Sequence, residues 1–178
     1  ILFPVRLHIF VRGLQGLYAC VNPNCSKAKH SERDNLPLGT ITSIPRDTCS
    51  CGGKIYEIVN HVKCGALFLK VYVKKEGNAE FWYVFPRKGI TGTENELKEM
   101  LLFVEPENYV IEGKSKYQRG ELDPFTGTLY RTRQNNDKFL KVLYTDEFDV
   151  NTDSDTFKTC PKCRKPMRLK KPTDFATK

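Results

Sequence analysis

Cys20-Val21-Asn22-Pro23-Asn24-Cys25, Cys49-Ser50-Cys51-Gly52-Gly53, His61-Val62-Lys63-Cys64-Gly65 and Cys160-Pro161-Lys162-Cys163 are the stretches that decide how this chain folds. Each carries two candidate metal ligands on one short turn, so both arrive near the same point together and each later pair closes a loop on it. There are 7 cysteines, an odd number that spoils a fully paired disulfide framework. With His61 as the eighth ligand, Cys20, Cys25, Cys49, Cys51, Cys64, Cys160 and Cys163 are enough for two tetrahedral zinc sites. Thiolates kept for metal imply a reducing, intracellular setting, and the expected location is the cytoplasm.

Proximity along the chain favours Cys20, Cys25, Cys49 and Cys51 as one all-cysteine site. His61 and Cys64 then join Cys160 and Cys163. A crossed pairing, with His61 and Cys64 joining the first cysteine pair, stays open from sequence alone, as does His61 as an ordinary strand histidine. His8 and His30 have no other ligand within a few residues. Gly52 and Gly65 directly follow cysteines, where positive φ turns backbone amides toward the sulfur, and Asn22-Pro23-Asn24 is a turn formula. Four protein ligands leave no open position, so both sites read as structural rather than catalytic.

Outward from the cysteines, short runs rich in Val, Ile, Phe and Tyr predict strands over 2–11, 17–21, 54–62, 67–74, 81–85, 109–112, 128–133, 139–144 and 156–160. Glu76-Gly77-Asn78 and Pro124-Phe125-Thr126-Gly127 read as hairpin turns. Thr93 and Glu96 form a capping-box signature, and Leu97, Met100 and Leu101 follow at helical spacing, predicting one short helix near 94–103 that Pro106 limits. The expected fold is mainly β (small α+β): a zinc-ribbon-like core with an antiparallel β elaboration carrying that helix. Residues 1–70 form the ribbon region, 71–157 the elaboration, and 158–178 a closing knuckle and basic tail, together one compact domain.

Length and composition agree with a folded domain: 178 residues, 39% hydrophobic and 28% charged. No apolar run approaches the roughly 18 residues that span a bilayer. The start, Ile1-Leu2-Phe3-Pro4-Val5, has neither a basic n-region nor an initiator methionine, which predicts a piece of something larger and no signal peptide. Nucleotide hydrolysis needs a phosphate-cradling loop, and no GxxxxGK[ST] occurs. Gly52-Gly53-Lys54 lacks that loop's first glycine and hydroxyl, and Asp146-Glu147-Phe148-Asp149 reads as a solvated acidic turn. With no HExxH pair and no Gly-x-Ser-x-Gly elbow, the chain carries no recognisable catalytic set.

The formal charge is +8, which makes nucleic acid or another anionic surface a plausible partner class. The charge is uneven: the 94–112 segment holds six Glu against one Lys, whereas 158–178 holds eight Lys and Arg against Asp174. Arg164, Lys165, Arg168, Lys170 and Lys171 are the candidate phosphate contacts. The aromatic run Phe81-Trp82-Tyr83 with Phe85 is a candidate base-stacking surface, or a strand with alternate residues in the core.

His8-x-Phe10-x-Arg12, Gly16-Leu17-Tyr18-Ala19-Cys20, Asn22-Pro23-Asn24-Cys25, Cys49-x-Cys51-Gly52, Tyr56-Glu57 and Cys64-Gly65 together resemble the cysteine-rich insert of large prokaryotic superfamily 2 DEAD/DEAH-box helicases, including phage-defence helicases. Cys160-Pro161-Lys162-Cys163 matches that family's late Cys-Pro-x-Cys pair. The similarity covers His8 to Phe68 and the region around Cys160, and is weak from Val71 to Phe157. That family usually has Cys where this chain has His61. The resemblance implies a zinc-binding accessory domain of an ATP-dependent DNA helicase or translocase, with ATP chemistry in motor lobes outside this chain. Its implied partners are nucleic acid, those lobes and another defence-system subunit. A protein-docking module is the competing reading.

Overall fold

The structure is a computed structural model and describes residues 16–27, 37–76, 79–83, 98–106, 109–110, 117–132, 134, 136–145 and 157–170. Among the described residues, ten strands make one antiparallel sheet: β1 (Leu17–Cys20), β2 (Ile41–Thr42), β3 (Ile55–His61), β4 (Leu67–Glu76), β5 (Ala79–Tyr83), β6 (Lys98–Val104), β7 (Tyr117–Leu122), β8 (Leu129–Tyr130), β9 (Leu140–Thr145) and β10 (Leu169–Lys170). The main order is β2-β1-β3-β4-β6-β9-β7-β8. β4 organises it: β3 and then β5 pair along one edge, β6 along the other. β3 is shared in the same way, because β1 pairs with its first residues and β10 with Asn60 and His61.

β7 stands four strands from β3, a span of about 19 Å in a flat sheet. Yet the Lys54 amide, just before β3, donates to the Pro124 carbonyl, just after β7, at 2.6 Å. The sheet therefore rolls over on itself. Its concave face holds the main core, which runs from Ala19 and Tyr56 through Leu69 and Leu102 to Leu122 and Leu140. The other face packs at two separate places. One is Tyr18, Cys20, Cys25 and Ile55; the other includes Val59, Phe68, Phe103 and Phe157, with Phe68–Phe103 and Phe68–Phe157 ring centroids 5.4 and 5.3 Å apart. Each of these places adjoins a cysteine cluster.

The mainly β expectation holds, and no helix occurs among the described residues. The short helix near 94–103 is corrected where it can be compared: Lys98–Val104 is a strand, and 94–97 lie outside the described residues. Met100, Leu102 and Val104 enter the main core while Leu101 and Phe103 enter the opposite one. A strand buried on both faces loses its polar alternation, and its apolar run then mimics helical spacing. Other strand expectations shift as well. Among the described residues, Leu129–Tyr130 is the strand that forms within 128–133, Tyr109 and Val110 are not strand, and 157–160 contributes an isolated bridge from Thr159 to Pro166. The 2–11 run lies outside the described residues, as do His8, His30, Phe85 and the 146–149 acidic turn.

Candidate metal centres

The two ends of β3 each meet a cluster. Cys20 closes β1 opposite Ile55, the first residue of β3, and His61 is its last. Cys20, Cys25, Cys49 and Cys51 gather at the first end, and His61, Cys64, Cys160 and Cys163 at the second; within each set the ligand atoms lie within 4.8 Å of one another. These groupings follow the proximity pairing rather than the crossed one. All seven cysteines are free thiols. The sulfurs of Cys20 and Cys51 stand 3.6 Å apart, those of Cys25 and Cys49 3.8 Å, and those of Cys64 and Cys160 3.6 Å. A disulfide needs about 2.05 Å. Four sulfurs at about 2.3 Å from one tetrahedral zinc lie about 3.8 Å from each other, so the donor set fits that ion.

Short turns set these distances. The Gly52 amide donates to the Cys49 carbonyl at 2.9 Å, Gly65 to His61 at 2.9 Å and Arg164 to Cys160 at 2.8 Å. The residue after the last cysteine of each turn has positive φ: 86° at Gly52, 66° at Gly65 and 58° at Arg164. Glycine adopts this conformation freely, whereas a residue with a Cβ is strained there by about 1 kcal/mol. Arg164 carries that strain.

At the first centre, the Asn22 side-chain amide donates to the Cys51 sulfur at 3.6 Å, and the Asn22 side-chain oxygen Oδ1 accepts from the Asn24 amide at 3.0 Å. The Thr40 hydroxyl lies 3.6 Å from the Cys25 sulfur. Burial raises the Cys25 thiol, but hydrogen bonds from the Thr40 amide and hydroxyl and the Lys27 amide outweigh it and bring the group to about 6. Burial pushes Cys20 up. A divalent cation overrides such opposed preferences by stabilising every thiolate it touches.

At the second centre, His61 is 1% exposed. Its Nδ1 lies 3.2 Å from the Cys64 sulfur and 3.6 Å from that of Cys163. Its Nε2 lies 3.1 Å from the Pro166 carbonyl, which can only accept. The proton therefore sits on Nε2 and leaves the Nδ1 lone pair facing the thiols, the arrangement that orients a ligating imidazole. Burial pushes Cys160 up to about 12, and the Cys64 sulfur adds to it. Tyr109 and Tyr117 bind the knuckle to the sheet: their hydroxyls donate at 2.9 Å to the carbonyls of Pro161 and Thr159.

Sequence reasoning missed Asn22 and Thr40 as donors to sulfur, and it missed Gly39. A Cβ on Gly39 would lie 2.5 Å from the Cys25 Cβ and 3.0 Å from its sulfur. No spacing rule flags such a residue, because its closeness is created by the fold. Gly39→Ala should weaken the first centre, with overpacking costing about 1–3 kcal/mol. A cobalt-substituted titration should show one of two thiolate charge-transfer bands lost or weakened, and two unchanged bands would refute the crowding argument.

Of the candidate phosphate contacts, Arg164, Lys165 and Arg168 are exposed on the second knuckle, Lys170 lies on β10, and Lys171 is outside the described residues. Trp82 and its neighbours lie on β5, paired with β4. Among the described residues no helix is long and apolar enough to cross a membrane.

The chain is 33% identical over 172 residues to Druantia protein DruE of Escherichia coli (strain UMEA 4076-1), a match covering 94% of this chain and 9% of that protein. It thus spans about a tenth of the relative's length. No solved structure matches. The family described as the YjiV N-terminal domain matches residues 41–174, which include six of the eight clustered ligands from Cys49 to Cys163. On that match, the chain belongs to the YjiV N-terminal domain family.

Proposed function

We propose that the chain is a zinc-binding accessory domain of a much larger phage-defence helicase and that it contacts nucleic acid. ATP binding and hydrolysis would belong to parts of the protein outside this chain. The observation that carries the reading is the pair of closed four-ligand clusters at the two ends of one strand, the second bearing exposed Arg164, Lys165 and Arg168. Sequence similarity to a Druantia protein many times longer supports an accessory role. So does the resemblance of the cysteine blocks to helicase inserts.

Closed sites fix the backbone, and the fixed backbone presents charge. Nucleic-acid contact through such charge has a specific signature: affinity falls linearly with salt on logarithmic axes, with a slope of about −0.7 per neutralised phosphate on single strands. Fluorescence anisotropy with single- and double-stranded DNA should show binding at low salt that weakens markedly near physiological salt. Absence of binding at low salt would refute the nucleic-acid reading and leave the domain as a docking module for a protein partner.

A further inference from the structure

We infer that the rim of the second metal centre is a reader of the phosphate backbone alone, indifferent to the bases; this rests on the nucleic-acid reading above and narrows it. Six cations converge there. Lys63 precedes Cys64, Lys158 lies two residues before Cys160, and Lys162, Arg164 and Lys165 surround Cys163; Arg168 is joined to the same turn because its carbonyl accepts from the Val62 amide at 2.9 Å. All six are exposed. The segments 59–67 and 157–170 that build this end contain no acidic residue. The nearby buried carboxylate, Glu105, is already taken by Arg119 at 2.8 Å.

The other end of β3 is different. Lys27, Arg46 and Lys54 there are accompanied by Asp47 and Asp123. Four thiolates around a divalent cation also carry one more negative charge than three thiolates and an imidazole. His61 thus makes the second centre less negative beneath its own basic rim. Among the described residues, the second end carries the denser cationic rim.

Arg164 supplies an independent observation. It holds a φ of 58° at the position where the other two turns use glycine. A charged residue kept in a conformation that favours glycine points to a use for its side chain. Among the described aromatic residues at this end, Phe68, Phe103 and Phe157 are fully buried, and the half-buried Tyr109 and Tyr117 are held through their hydroxyls to knuckle carbonyls. Nothing aromatic on the knuckle segment itself is offered for stacking, so the rim can neutralise phosphates without reading bases.

The test is a titration of the chain with fluorescein-labelled oligothymidine and with an abasic oligodeoxynucleotide of the same length. The two strands should bind within about twofold of each other, with log–log salt slopes near −4 for six contacts. Arg164→Gly should raise the thermal midpoint yet weaken both strands about threefold or more, and Lys63→Glu with Lys162→Glu should weaken both at least about tenfold. An abasic strand bound about tenfold more weakly would overturn backbone-only reading while leaving nucleic-acid contact intact. Wild-type binding unaffected by these variants would move the contact off the rim. No binding of either strand by the wild-type chain would defeat the nucleic-acid reading itself.

Discussion

Stripping metal from this chain with a strong chelator is expected to cost it its tertiary fold, and metal analysis before treatment should return two zinc equivalents. Each four-ligand set adjoins a packing cluster on the outer face of the sheet, Tyr18 and Ile55 at one end and Phe68 and Phe157 at the other. A structural zinc site contributes about 10–16 kcal/mol of apparent binding free energy. The whole net stability of a typical domain is about 5–15 kcal/mol, so loss of both ions exceeds what the apolar core can offset. Near-UV circular dichroism should collapse on chelation and return on adding zinc. Acid should act likewise, since affinity falls about tenfold per pH unit for each thiol proton displaced. Burial, which raises the Cys20 and Cys160 thiols, favours their protonated forms. A chain that keeps its near-UV signal without metal would overturn the structural role of the clusters.

Cys160→Ala is expected to be the most damaging single change at the second centre. Cys160 is fully buried, packs with Phe157 and Phe68, and faces Cys64 across 96 residues of chain. In chain-entropy terms, a crosslink closing a loop of about 100 residues is worth about 4–5 kcal/mol. The variant should bind one zinc instead of two and lose about that much stability, releasing β10 from β3. By contrast, Tyr117→Phe removes one hydroxyl bonded to Thr159, worth about 1 kcal/mol. Zinc stoichiometry and thermal midpoints separate the two. Retention of two zincs by the Cys160 variant would remove that residue from the ligand set.

The cysteine framework was legible because ligation is local chemistry: paired ligands on short turns, with glycine after Cys51 and Cys64, leave a signature that needs no tertiary context. The central strands were legible for a similar reason, since 54–62 and 67–74 are long runs of β-branched and aromatic residues. What escaped depends on partners. Lys98–Val104 is hidden by burial on both faces. Tyr117–Leu122 is too polar to suggest a strand, yet its full register against β9 holds it in the sheet. Leu169–Lys170 lies in a basic tail and becomes a strand because the Cys160 knuckle delivers it to the end of β3. Gly39 and Asn22 matter only once the fold has brought them beside sulfur.

The unequal spacing of the two clusters also sets an order of assembly. All ligands of the first centre have been synthesised once Cys51 emerges; β1 and β2 precede it, and β3, which pairs with β1, begins at Ile55. His61 and Cys64 must wait for Cys160 and Cys163. At translation rates of about 5–20 residues per second, that wait is on the order of 10 s. Throughout it, Phe68 lacks the Phe157 ring that packs against it in the finished fold. The nascent chain therefore passes through an interval in which one end has all its ligands and the other still waits for half of its own.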